Sequence, residues 1–412
     1  MLQEENVMKT DLFEKRFEGT EQFEFHDFIR GIDAATQWER HPLKEIVFVP
    51  ASSVKADDLS LGDEEALMDS KHNLPIVACL PDGRKILMRY YLWKQIKQHH
   101  RDTCAVINDM AQANAWEDVC AHLNSGAKYL KKKVIVMTRG EKVSGWFGQF
   151  NTSWTQEQQI CFVEEKMAER FTELQFVGGS YTHLFTTANY MLDTSICGMG
   201  WGTSVMDAYA AAWEEAGMEV SITKAVPMVR FVTGESGMTS IALSPYLKLD
   251  GTEIPLGPSL SVSHRGSDEV VWGKLQAFPD MAVAKYKAGM DDLKNLCEMV
   301  IYHPYSCMTH VLKGFLSSLP LKDALDLAGM YQIMYDPSDA DLTCRAINLY
   351  QDVNNLISEV NGRTKSPVRR LNNMELVARL LCMDWQKLDV KTPAKLSNAA
   401  ETDDMKTEEF IA

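Results

Sequence analysis

Apolar positions recur with two different periods along this chain. In the middle, Val134-Ile135-Val136-Met137 and Val143-Ser144-Gly145-Trp146-Phe147 flank Arg139-Gly140-Glu141-Lys142. Two short runs of strand-forming residues around a glycine-bearing turn predict a β-hairpin. Leu174 to Val177 and Tyr181 to Thr187 bracket Gly178-Gly179 and predict a second. A third is expected at Asp250-Gly251, because a two-residue hairpin turn needs positive φ at both positions and Asp-Gly adopts it readily. Strands are also read at Glu219 to Thr223 and Met228 to Thr233.

Helical spacing interrupts these strands twice. Ile160, Val163, Met167 and Phe171 follow Ser153-x-x-Gln156, a capping-box pattern, and Val205, Tyr209, Ala212, Trp213 and Ala216 follow Ser204-x-x-Asp207. Gly217 stands where the second helix needs a C-terminal cap. Leu92, Ile96, Val106, Met110 and Val119 suggest helices earlier in the chain. After about Met281 the period is helical to near residue 385, with Ala346, Leu349, Tyr350, Val353, Ile357 and Val360 on one face of a long helix ending at Gly362. The pattern predicts an α+β fold, a hairpin-rich antiparallel sheet region in the middle followed by a helical C-terminal part. Residues 1–130 read as an acidic N-terminal arm and helical cap, 131–280 as the sheet-rich core, 281–385 as a helical region and 386–412 as a mobile acidic tail.

Composition narrows the function classes. The 412 residues are 45% hydrophobic and 24% charged, an ordinary globular mixture. Lys and Arg number 42 against 57 Asp and Glu, a net charge of -15, which argues against diffuse adhesion to nucleic acid or an anionic membrane. Any contact with a polyanion must then be a local patch. Nine cysteines without a C-x-x-C pair fit a reducing compartment, and apolar runs such as Leu74 to Leu80 are too short to span a bilayer. Met1 to Phe23 lacks the apolar stretch of a secretory signal, so the expected location is cytoplasmic, with no membrane partner.

Candidate chemistry is sparse. Cys297, His303, Cys307 and His310 supply the ligand types of a tetrahedral zinc, but Cys297 shares an apolar helical stripe with Leu293 and Val300 and reads better as core. Neither a metal nor a cofactor is expected. Gly198-Met199-Gly200-Trp201-Gly202 precedes the helix read from Ser204 and offers either an anion-binding loop or a plain glycine turn. Gly234-Glu235-Ser236-Gly237 departs from the G-x-S-x-G nucleophile turn at Met238, and His183 and His264 have no orienting carboxylate nearby in sequence. A nonenzymatic protein is the expectation.

Basic residues do cluster. Lys128, Lys131, Lys132, Lys133, Arg139 and Lys142 surround the first hairpin, with Tyr129, Trp146 and Phe147 available to stack on bases, although strand alternation sends at least one of Trp146 and Phe147 into the core. A second group, Arg363, Lys365, Arg369 and Arg370, lies between the last long helices. The candidate nucleic-acid contacts are Lys131, Lys133, Arg139, Lys142, Arg230, Arg265, Arg369 and Arg370.

From Val134 to Leu381 the order of features resembles a phage/plasmid-like family, a domain of unknown function found on phages, prophages and plasmids. Arg139-Gly140-Glu141-Lys142-Val143 is similar to the family's early strand-turn-strand, and Phe176-Val177-Gly178-Gly179-Ser180 to its glycine hairpin. Val226 to Gly237 is similar to its strand ending in an N-S-x-x-G-like turn, with Thr233-Gly234 in place of Asn-Ser. Ser263-His264-Arg265-Gly266 resembles its His-x-Gly step, Ile347 to Val353 its late helix, and Arg369-Arg370-Leu371 the approach to its last helix. The resemblance implies a protein of mobile-element DNA metabolism in a bacterial cytoplasm, binding or annealing single-stranded DNA, with a homo-oligomer as a further expected partner. It supplies no catalytic residue. The alternative is a phage binding, assembly or host-takeover protein that does not contact nucleic acid.

Overall fold

A computed structural model describes residues 14–59, 73–100, 105–140, 142–149, 154–192, 199–218, 224–234, 239–263, 268–339 and 341–397. The chain begins β1 (Glu14–Glu18), α1 (Gln22–Ala34), β2 (Thr36–Pro42), β3 (Val47–Pro50), β4 (Asn73–Cys79), β5 (Lys85–Arg89), α2 (Trp93–His100), α3 (Ala105–Gln112) and α4 (Trp116–Ala127). It continues through β6 (Lys133–Arg139), β7 (Lys142–Gly148), α5 (Gln156–Arg170), β8 (Gln175–Thr182), β9 (Thr186–Met191), α6 (Met199–Glu215), β10 (Ala225–Thr233), β11 (Ile241–Leu249), β12 (Thr252–Pro255) and β13 (Leu260–Val262). The helical part holds α7 (Asp268–Gln276), α8 (Phe278–Glu298), α9 (Pro304–Phe315), α10 (Leu321–Met334), α11 (Ala346–Arg363), α12 (Pro367–Leu381) and α13 (Trp385–Leu388), with the short pair β14 (Val300–Ile301) and β15 (Cys344–Arg345). The fold is α+β, as the periodicity predicts.

The strands form two large sheets. One is antiparallel, ordered β1-β8-β9-β10-β11-β12 with β13 also on β11. The other is ordered β2-β6-β7-β5-β4-β3, and its β5–β7 pair is parallel. Residues 14–59 and 73–89 are therefore not an arm. β1 pairs with β8 from Glu14↔Thr182 to Glu18↔Gly178, and β2 pairs with β6 from Thr36↔Arg139 to Pro42↔Lys133, so position 131 does not divide the structure. Helices α2 to α4 do pack there, against the second sheet. The early strands escape a period-two reading because both of their faces are buried. Ile76, Ala78, Ile86 and Met88 enter one core while Val77 and Leu87 enter another, which makes their sequence nearly continuously apolar.

Two of the three expected hairpins form. β6 and β7 reverse at Gly140 (φ 58°), and Leu249↔Thr252 closes around Asp250 (φ 44°) and Gly251 (φ 100°). Gly178-Gly179, by contrast, lies inside β8, and the reversal comes at His183-Leu184-Phe185, where Thr182 Oγ1 accepts from the amides of Leu184 (3.3 Å) and Phe185 (3.0 Å). The glycines answer a different need. Gly178 has φ 143°, beside a register shift, and a Cβ there would lie 2.5 Å from Phe17 O; at Gly179 it would lie 2.5 Å from Thr187 O.

Helix starts also shift. The capping box of α5 is Thr155 with Gln158, and α6 begins at Met199, so Ser204 and Asp207 lie within it; Gly217 (φ 77°) follows its end as expected. The predicted face of α11 is buried at every named position, in a core shared with α6, α8, α9, α10 and α12. Residues 386–397 belong to this body rather than to a tail. Trp385 is fully buried, the Asp389 carboxylate accepts from the Tyr302 (2.9 Å) and His303 (2.7 Å) amides at the start of α9, and Ala394 N donates to Thr309 Oγ1 (2.8 Å). Residues 398–412 lie outside the described residues. Among the described residues no helix is long and apolar enough to cross a membrane.

Candidate binding groove

Strand alternation divides the first sheet into unlike faces. Phe17, Tyr181, Ala188, Tyr190, Val229, Phe231, Ile241 and Leu243 pack into the core beneath α1, α5, α7 and α8. Their neighbours in sequence project the other way and floor a cleft of about 900 Å³. Helix α12 forms one wall with Pro367, Arg370, Leu371 and Met374. Beyond that wall the same sheet face continues into a smaller cavity of about 290 Å³ containing Ser244, Ser259 and Glu375. There Ser259 donates both its amide (3.1 Å) and its hydroxyl (2.7 Å) to Glu375 Oε2, tying α12 to the sheet.

Arg230 is the centre of the groove floor. Its Nε donates to Asn189 Oδ1 (2.8 Å), its Nη2 to Glu253 Oε2 (2.9 Å), and its guanidinium lies 4.9 Å from the centre of the Tyr246 ring. Burial works against the charge, but Glu253 and Tyr246 outweigh it and hold the Arg230 pKa above its ordinary value. Burial also pushes the Tyr246 phenol up to about 12. Arg230 is thus a fixed structural cation with its donors engaged.

The cations free to meet a ligand are elsewhere on the same surface. Lys224 and Lys248 line the groove, both are exposed, and among the described residues neither has an ion-pair partner. Arg16 and Arg370 lie at the β1 side, where both reach Glu14, at 3.4 and 3.1 Å. Glu18, Asp250 and Glu253 complete the charged lining, so the groove carries a local excess of positive charge inside an acidic protein.

Of the seven sequence candidates among the described residues, only Arg230 and Arg370 enter this groove. Arg139 and Lys142 are buried; Arg139 Nη1 donates to Tyr181 OH (2.8 Å) and its Nε to Thr36 Oγ1 (3.0 Å), a brace between the sheets. Lys131 is exposed just before β6 and Lys133 is exposed at its first position, Arg369 Nη2 turns toward Ser318 O (3.4 Å), and Arg265 lies outside the described residues. The basic segments therefore do not make one surface. Trp146 and Phe147 are both core, so neither can stack on a base. Sequence reasoning missed Arg16, Lys224 and Lys248. The available signal was the alternation Val226, Met228, Arg230 on β10 and Tyr246, Lys248 on β11, which places these residues on one face.

The other sequence candidates resolve differently. Cys297 and Cys307 are buried in the helical core, where burial pushes the Cys297 thiol up to about 12 and raises Cys307 as well. His310 Nε2 instead faces Thr392 O (3.0 Å). Met199 to Gly202 form the opening of α6 rather than a loop, and Gly198, Glu235 to Gly237 and His264 lie outside the described residues. His183 is hydrogen-bonded to Tyr90 OH (3.0 Å). No family model, no curated protein and no solved structure matches the chain.

Proposed function

We propose that the groove binds single-stranded nucleic acid without catalysing a reaction on it, and that the protein serves the DNA metabolism of a phage or plasmid. The observation that carries this reading is the pair Lys224 and Lys248, two uncompensated cations on the open face of a sheet in a chain of net charge -15. Six adjacent strands span about 24 Å at the usual inter-strand spacing. That length accommodates roughly four nucleotides of extended strand, the lower end of known site sizes. Phosphates would meet Lys224, Lys248, Arg16 and Arg370, while Asn189 and Tyr246 present polar groups to whatever lies on the floor. The mobile-element assignment rests on the sequence resemblance.

Fluorescence anisotropy with single-stranded and duplex oligonucleotides over a salt series tests the reading. Preferential binding of the single strand, weakened by the Lys224→Glu, Lys248→Glu double variant, is the expected outcome. A parent protein that binds neither oligonucleotide at low salt overturns it.

A second reading, a phage assembly or host-takeover protein, is favoured by α10. Leu325, Met330, Ile333 and Met334 are all exposed on this helix, Ile333 by 85%. Contiguous exposed apolar side chains mark protein contacts. Loss of a co-purifying protein on Ile333→Asp, in a protein that ignores DNA, would select it.

A further inference from the structure

A second cluster of reactive side chains lies on the opposite side of the first sheet, where α1 packs on α5. Cys161 and Glu164 are three residues apart on α5 and share a helix face. His26 of α1 is held against both. Its Nε2 is 3.0 Å from Glu164 Oε2, and its Nδ1 is 3.8 Å from Cys161 Sγ. Glu164 is itself anchored, with Oε1 accepting from Tyr190 OH (2.6 Å) and Gln22 Nε2 (3.0 Å). The His26 and Glu164 side chains are 14% and 15% exposed, whereas Cys161 is open to solvent.

This arrangement has a chemical direction. A carboxylate that accepts a hydrogen bond from the Nε2–H of a neutral imidazole leaves the Nδ1 lone pair for another partner, and metal-binding histidines are commonly oriented in this way. Zinc–nitrogen and zinc–sulfur bonds at a near-tetrahedral angle separate the two ligand atoms by roughly 3.6 Å. The observed 3.8 Å is close to that separation. Among the described residues, His26, Cys161 and Glu164 are the one group of His, Cys and carboxylate side chains whose ligand atoms converge within 4.8 Å. The sulfur of the exposed Cys382 faces the Ala378 carbonyl instead. Glu157, one turn before Cys161, is committed to Arg30 (2.8 Å).

We propose that Cys161 Sγ and His26 Nδ1 bind a thiophilic divalent cation, Zn²⁺ in the cell, with Glu164 as the positioning residue and water completing the coordination. Binding forms the zinc–sulfur bond and releases the thiol proton to solvent. The Glu164 carboxylate, whose oxygen lies within 4.8 Å of both ligand atoms, adds a negative potential that attracts a divalent cation. The site stands apart from the groove and does not depend on what the groove binds.

The test uses the full-length, reduced, chelator-treated protein titrated with Co²⁺ and then displaced with Zn²⁺. One saturable equivalent with a near-ultraviolet sulfur-to-cobalt charge-transfer band is expected. Cys161→Ser, a conservative change at an exposed position, should abolish the band and weaken Zn²⁺ binding at least tenfold. Glu164→Gln should keep the band and weaken binding by about 10-fold or more. A cobalt complex without the band, or Zn²⁺ affinity unchanged by Cys161→Ser, overturns the proposal.

Discussion

The two large sheets use the same kinds of residue for opposite ends. In the β2–β7 sheet both faces are packed, and its cations Arg139 and Lys142 are buried among hydrogen-bonding partners. In the β1–β12 sheet one face is packed throughout and the other is covered only in part, by α12, so that Arg230 is partly buried there while Lys224 and Lys248 stand exposed. A lysine or arginine next to a strand turn therefore says little by itself. What decides its role is whether a second layer covers that face, because a buried guanidinium must be satisfied within the protein whereas an exposed ammonium remains available to an external phosphate.

The sharpest way to break this contrast is at Arg139. Arg139→Ala removes the donor to Tyr181 OH of the other sheet and the donor to Thr36 Oγ1 of its own, and should lower unfolding free energy by about 3 kcal/mol, read from urea denaturation. A loss below about 0.5 kcal/mol, the range of an ordinary surface change, would mean that the brace is dispensable. Next in size is Gly179→Ala in the first sheet. The added Cβ would meet Thr187 O at 2.5 Å and the Phe25 ring at 3.0 Å, so a cost of about 2 kcal/mol is expected from overpacking. An unchanged melting temperature would show that β8 and β9 separate easily.

A smaller effect comes from the layer over the first sheet's packed face. The hydrogen bond to Glu164 raises the His26 pKa above 6.5. A raised folded-state pKa contributes stability that is complete below the unfolded value and disappears as pH rises through the folded one. Glu164→Gln should therefore destabilise the protein more at pH 5.5 than at pH 8.5, beyond any constant loss from the Tyr190 hydrogen bond. Equal losses at both pH values would remove the charge from this account. The smallest effect on stability is expected at the groove. Replacing Lys224 and Lys248 with Gln should change stability by less than about 0.5 kcal/mol. The same change should flatten the logarithmic salt slope of single-strand binding by up to about 1.4, the value for two phosphate contacts. An unaltered slope in the folded variant would take these lysines out of the contact surface.

What the sequence determined on its own is the local structure whose cause is also local. The Asp250-Gly251 turn, the Gly217 cap and the α11 stripe from Ala346 to Val360 all depend on backbone conformation or helical period, and all are present. The tertiary structure alone decided matters that depend on a distant partner. Gly178-Gly179 looks like a turn until the backbone of β1 is laid 2.5 Å from where a Cβ would be. The strands of residues 73–89 look featureless until a core is placed on each face, and Asp389 looks like part of an acidic tail until its carboxylate meets the start of α9. The groove and the cation cluster are of this second kind. Arg16 and Lys248 line one groove from strands four apart in the sheet, and His26 and Cys161 meet across two helices, at sequence separations over which no periodicity carries information.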